Sequence, residues 1–168
     1  EEINASVQKE VDMVRGIYES VESLTAMARE LNEAMKSIEG NYSLDKSDEE
    51  RVRLGQEILI NALKEMGSFN PEDRKRSEAF AAQLGSKYKD VFEAIIVLDA
   101  EGNVTGGSVK TETRNFSHRQ YFKEAIQGRN YVTSPYISVI TEEYCITVAV
   151  PIKVGGKTVG VAFGDVIL

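Results

Sequence analysis

The sequence contains no tryptophan, one histidine, one cysteine and three prolines among 168 residues. With Cys145 alone, no intrachain disulfide can form and a cysteine-based zinc cluster is excluded. His118 is the only histidine, which leaves little for metal chemistry. There is no CxxCH haem motif and no flavin-type cysteine motif, so neither cofactor nor metal is expected. A phosphate-loop lysine and a GxSxG nucleophile motif are also missing, and nothing in the chain asks for an enzyme. Positive charge is scarce, with 20 Lys and Arg against 27 Asp and Glu. A chain with net charge −7 repels phosphate backbones, so a nucleic-acid partner is not expected. No apolar run approaches the roughly 20 residues of a membrane span, and the first residues lack a signal-peptide pattern. A start at Glu1 without Met reads as a piece of a longer chain, whose other parts are left open.

What is present is a globular composition, 42% hydrophobic and 28% charged, in a length that fits one domain with an appendage. The acidic excess is uneven. Residues 1–90 carry 13 basic and 19 acidic side chains, and residues 91–168 carry 7 and 8.

Three helical stretches come first. Ile3, Val7, Val11, Val14, Tyr18, Val21, Leu24, Ala28, Leu31, Met35 and Ile38 recur at steps of three and four, one stripe of a long helix with Gly40 as its stop. At ~35 residues such a helix is about 50 Å long, so it either packs on its own domain or projects and pairs with a partner helix. After a loop over 41–46, Ser47 and Glu50 form a capping-box pattern for a second helix ending at Gly67. Asn70 before Pro71 then predicts a third helix, with Glu72 and Asp73 on its positive end and Gly85 as its stop.

At Val91 the period changes. Residues 91–98 read as a buried strand, 99–102 as a turn and 103–109 as a weaker strand. Ser117 with Gln120 marks a short helix running to about Gln127. Residues 131–140, 144–152 and 157–167 are strand-like, with Gly155-Gly156 as a hairpin signal and Pro151 restricted to an edge or a strand end. Sequential hairpins imply an antiparallel sheet. The expected class is therefore α+β, organised as a long helix over 1–40, a helical segment over 41–90 and a sheet core over 91–168.

Two charges do not fit a purely structural reading. Arg119 falls near the second position of the short helix, where a cation opposes the helix dipole. An anion in front of that end would remove the conflict, held by the guanidinium fork and by free N–H groups. The alternative is a surface or ion-paired arginine. Asp165 lies among apolar residues in the last strand, where an unpaired carboxylate is expensive. It needs a cationic partner, either Arg119 or the ammonium group of a small ligand. Arg119 and Asp165 on one cavity would suit a zwitterion, with the Tyr136 hydroxyl at a third corner and Tyr121 and Phe122 beside the arginine. Cys145, mid-strand, reads as a small buried hydrophobe.

The runs NFSHRQYFKEAIQGRNYVTSPYIS and ITVAVPIKVGGKTVGVAFGDVIL resemble a Cache domain, the PAS-like extracytoplasmic sensor module of chemoreceptors, sensor histidine kinases and cyclic-di-nucleotide enzymes. The likeness covers about residues 91–168. It implies a five-stranded antiparallel sheet with a long N-terminal helix and additional helices packed on it. It also implies that Arg119, Tyr121 and Phe122 take a ligand carboxylate while Tyr136 and Asp165 hold its amino group. The HRQYF form is similar as well to modules that bind small organic acids, with His118 as a second donor to a carboxylate, or else an exposed first-turn residue. The expected function is that of a periplasmic ligand-binding domain in a membrane-spanning protein of the inner membrane, a chemotaxis receptor or sensor kinase. Its partner would be a small organic acid or amino acid, with homodimerisation through the N-terminal helix. The alternative is a dimerising interaction module without a small-molecule ligand.

Overall fold

The computed structural model describes residues 2–39, 44–67 and 69–168. They fall into two compact units, Glu1–Tyr42 and Ser43–Leu168. The first is a single helix, α1 (Glu2–Glu39). Along it Val7, Val14, Ile17, Val21, Leu24 and Leu31 are all exposed. The expected stop at Gly40 and the side chains of Ile3, Met35 and Ile38 lie outside the described residues.

The second unit begins with α2 (Lys46–Glu65) and α3 (Arg74–Lys87). Both start at different caps from those the sequence suggests. Asp45 rather than Ser47 caps α2. Its carboxylate accepts from the Asp48 N–H while the Asp48 carboxylate accepts from the Asp45 N–H. An aspartate pair thus closes the same reciprocal box that Ser47 and Glu50 would have made. Asp73 caps α3 by accepting from the Arg76 N–H. Asn70 instead holds the turn before it, accepting from the Glu72 N–H. Gly85 does not end α3, which runs on to Lys87. A side chain at 85 would strike Ser108, so this glycine allows the helix to lie close on the strand side.

The sheet follows: β1 (Phe92–Asp99), β2 (Val104–Gly107), β3 (Tyr131–Val132), β4 (Tyr136–Ile137), β5 (Tyr144–Val154) and β6 (Lys157–Ile167), with the short helix α4 (Gln120–Ala125) between β2 and β3. All pairings are antiparallel, in the order β2-β1-β6-β5-β3, with β4 also on β5. The single strand expected over 131–140 is broken around Pro135, which cannot donate to a ladder. Six strands therefore occupy five positions, and the α+β, PAS-like class expected from the sequence is the one observed. Pro151 sits inside β5 opposite Val161 of β6, but beyond the end of β3, so its missing N–H falls on a locally open edge. Gly155 and Gly156 both take positive φ, 57° and 81°, as the two-residue β5–β6 turn requires.

Alternation along the strands separates two cores. Ile95 and Val97 of β1, Val148, Val150 and Ile152 of β5, and Ala162 and Val166 of β6 pack with Ile58, Leu59, Phe80 and Leu84 of α2 and α3. Ile96, Leu98, Ala149, Val161 and Phe163 face the other way and pack with Phe116, Tyr121, Phe122 and Ala125 at α4. The second layer is much the smaller. Beyond α4 the same face continues along β5 and β6 to Cys145, Thr147 and Asp165, where polar groups replace apolar ones.

Candidate functional site

Register decides what surrounds Asp165. In the middle of the sheet it is flanked by Ala94 on β1 and Thr147 on β5. Ala94 is small and leaves space on one side, whereas Thr147 supplies a hydroxyl on the other. The Asp165 side chain is fully buried. The Thr147 hydroxyl donates to its Oδ1 and the Ser138 hydroxyl to its Oδ2, both at 2.6 Å. Since the Thr147 hydrogen is used on Asp165, the Tyr136 hydroxyl donates to Thr147 Oγ1, also at 2.6 Å. Thr147 is steadied from behind, its N–H donating to Thr133 Oγ1. The carboxyl group thus sits at the head of a chain of neutral hydroxyls.

No ion pair compensates it. The ion pairs among the described residues are Arg53–Glu57 and Arg129–Glu124, both on the surface. Arg119 is near enough to favour the charged form of Asp165, but burial outweighs this and both hydroxyl bonds, and the Asp165 pKa is raised. Neighbouring groups feel the same setting. Burial first, and then the Asp165 charge, push the Tyr121, Tyr136 and Cys145 side chains up.

Arg119 is not inside α4, as the sequence suggested, but is its N-cap, with extended backbone and no side-chain cap bond. At the cap its charge still lies at the positive end of the helix dipole. The Ser117–Gln120 capping box is also absent; the Ser117 hydroxyl donates to Asn115 Oδ1 instead. What remains unusual about Arg119 is its Nε–H, which is buried and has no hydrogen-bond partner. Such a donor is costly until an acceptor arrives.

The structure brings four of the six anticipated residues into one electrostatic neighbourhood: Arg119, Tyr121, Tyr136 and Asp165. Phe122 lies beside them in the apolar cluster under α4. His118 is exposed in the turn before the helix. The residues that the sequence reading passed over are Ser138 and Thr147, while Cys145 is the buried strand residue it anticipated. Thr147 shares the alternation of Asp165's face, a signal that needed the strand register to become visible.

Two open grooves lie elsewhere. One of about 410 Å³ runs between α2 and β5 past Leu63, Lys64, Pro151 and Lys153. Another of about 390 Å³ lies between α3 and β2 beside Arg74, Glu78 and Arg114. Their charged side chains are all exposed and already hydrated, so neither groove contains an unmet charge.

No family model matches the chain. Solved structures do. The ligand-binding domain of Mlp24 with asparagine shares 20% identity at a TM-score of 0.57, over 89% of this chain and 60% of that one. The extracellular domain of the histidine-kinase candidate rpHK1S-Z16 shares 20% at 0.55, over 85% and 59%. The ligand-binding domain of the Pseudomonas fluorescens chemoreceptor CtaA in complex with L-alanine shares 25% at 0.52, over 83% and 59%. The chain has the Cache-like fold of these sensor domains. It spans about 60% of the length of the solved domains it matches. Arg119, at the cap of α4, lies within electrostatic range of Asp165 on the sheet face beneath but forms no ion pair with it. No described helix is long and apolar enough to cross a membrane.

The raised pKa of Asp165 has a consequence for stability. A carboxyl that holds its proton more tightly when folded stabilises the fold at low pH. That contribution is lost as pH rises through the folded pKa. Asp165→Asn removes the penalty. The variant's melting temperature should exceed that of the parent at pH 8, and the difference should shrink toward pH 4. Each kcal/mol corresponds to about 2–4 °C for a domain of this size. A difference that stays constant with pH, or reverses, would show that ionised Asp165 is not costly here.

Proposed function

We propose that the chain is the ligand-binding sensor domain of a transmembrane signalling protein and that its ligand is a small molecule with both an ammonium and a carboxylate group. One observation carries this reading: two complementary groups, Asp165 in β6 and Arg119 at the cap of α4 over that sheet face, are each left short of a partner. Asp165 is buried without a cation, and the Arg119 Nε–H is buried without an acceptor. An α-amino acid supplies both. Its ammonium would replace hydration that Asp165 lacks, and its carboxylate would accept from the guanidinium edge. Tyr121 and Tyr136 lie within electrostatic range of Asp165, and Tyr136 reaches it through Thr147. A simple organic acid would satisfy Arg119 but leave Asp165 as costly as before, so the amino-bearing ligand is favoured. The similar domains crystallised with asparagine and L-alanine support the same class.

Binding would couple to signalling through β6. Asp165 is three residues from Leu168, and Arg119 sits at the start of α4, so a bridging ligand draws a strand end and a helix start together. It shifts the balance only by its extra affinity for the closed arrangement. The domain is proposed to face the periplasm, in keeping with the extracellular kinase domain among its structural neighbours. α1 is proposed as the homodimer contact. Val14, Val21 and Ala28 alternate with Ile17, Leu24 and Leu31 at heptad spacing, with β-branched valines and leucines in the order that favours parallel pairs. Ile17, Leu24 and Leu31 are more than half exposed, at 58%, 62% and 64%.

Titration calorimetry with L-alanine and L-asparagine tests the ligand class. The parent should bind at least one of them, and Arg119→Ala and Asp165→Asn should each weaken binding by about 2–4 kcal/mol, the cost of orphaning a charged partner. Unchanged binding in both variants would remove the two residues from the site. Sedimentation equilibrium tests the helix. The parent should be dimeric, and Leu24→Glu should be monomeric with its sheet unit intact; a parent that stays monomeric at high concentration would overturn the pairing.

A further inference from the structure

One turn reaches across the sheet at Asp165. β4 lies on the outer edge of β5, where Tyr136 pairs with Cys145 and Ile137 with Tyr144. β6 separates β5 from β1. Residues 138–143 leave that outer edge, reach inward, and return to begin β5 at Tyr144. The Ser138 hydroxyl donates to Asp165 of β6, and the Thr141 hydroxyl donates to Glu93 Oε2 of β1, each at 2.6 Å. The turn is thus tied to both inner strands, over a span of two strand spacings, roughly 10 Å. Between the two hydroxyls, Ile140 packs on the apolar cluster under α4. Ser138 is buried, whereas Val139, Glu142 and Glu143 are exposed.

The turn is firm within itself and lightly attached to the rest. Internally, the Ser138 N–H donates to the Glu143 carbonyl, the Glu142 N–H to the Ser138 carbonyl and the Ile140 N–H to Ser138 Oγ. Outward, three side chains hold it down. The closed form also carries strain. Glu142 has φ 62°, the left-handed region that a Cβ disfavours, and it is alone in this among the described non-glycine residues. Strain of this kind persists only while surrounding contacts enforce it. We propose that residues 138–143 form a strap that shuts the Asp165 site and lifts as one piece, with Ser138 and Thr141 as its latches. Asp165 is fully buried and Ser138 occupies its Oδ2, so lifting the strap frees that oxygen for an incoming ammonium group. The purpose of the strap rests on the ligand class proposed above; its motion does not, and is measurable without ligand.

Cys145, the chain's only cysteine, is the natural probe. It is fully buried, opposite Tyr136 of β4 and within hydrogen-bonding reach of Ser138, so its thiol reacts only when something opens. The test follows iodoacetamide labelling of Cys145 in the ligand-free parent, in Thr141→Val and in Ile95→Val, all checked for folding by circular dichroism. Thr141→Val removes one latch and keeps the shape of the side chain. Ile95→Val trims the helix-side layer and weakens the fold as a whole. Thr141→Val should label about tenfold faster than the parent, the effect of losing a hydrogen bond to a charged group, while Ile95→Val labels at the parent's rate. Hydrogen exchange should show the Ser138, Ile140 and Glu142 amides quickening in Thr141→Val, with the Val148 and Val150 amides of β5 unmoved. Equal acceleration by both variants would mean that Cys145 is exposed by unfolding of the whole domain, and no acceleration by Thr141→Val would mean that the latch holds nothing. Either result overturns the strap and leaves the amino-acid site to be judged by calorimetry.

Discussion

A buried carboxyl group held by hydroxyls rather than by a cation is the constraint around which this molecule is arranged. Asp165 sits in the centre of the sheet, between Ala94 and Thr147, with no cation beside it in an ion pair. Removing a carboxylate from water costs far more than two neutral hydrogen bonds return. Folding alone would place a valine or threonine there. The chain instead keeps the acid and surrounds it with Ser138, Thr147 and, one bond further, Tyr136. Such an arrangement is stable enough to fold and still short of one positive charge, which is what a receptor for an ammonium group needs.

The rest of the fold makes that deficit tolerable. The helix-covered face of the sheet carries the larger apolar layer, with Phe80, Leu59 and Ile95 fully buried. Gly106 illustrates how close that layer is packed, since a Cβ there would meet the backbone of Ser77 in α3. The stabilising contacts and the unsatisfied charges are thus on opposite faces. The smaller layer under α4 anchors Tyr121 against Phe163, ring centres 4.9 Å apart, and so fixes the helix whose first cap is Arg119. Stability resides in one layer and the proposed binding groups in the other, a division seen where function opposes stability.

Much of this was legible in the sequence. The change from a helical to a two-residue period at Val91 marks the start of the sheet, and the isolated Asp165 in GVAFGDVIL is visible as a misfit without any structure. Other features were hidden for definite reasons. A strict two-residue hairpin at Gly155-Gly156 would set Ile146 opposite Asp165. The register slip at Ile152 and Lys153 moves Thr147 there instead, turning an apolar neighbour into a hydroxyl. Helix starts were misplaced because aspartates can cap as well as serine or asparagine, and local sequence does not say which of several candidates wins.

The most direct measurement is a crystal structure of the domain grown with L-alanine. The account predicts density for the ligand between α4 and the sheet, its nitrogen within about 3 Å of an Asp165 carboxylate oxygen and its carboxylate on the Arg119 Nε–H. A ligand bound in either outer groove, or an Asp165 still held only by Ser138 and Thr147 with the ligand elsewhere, would contradict it.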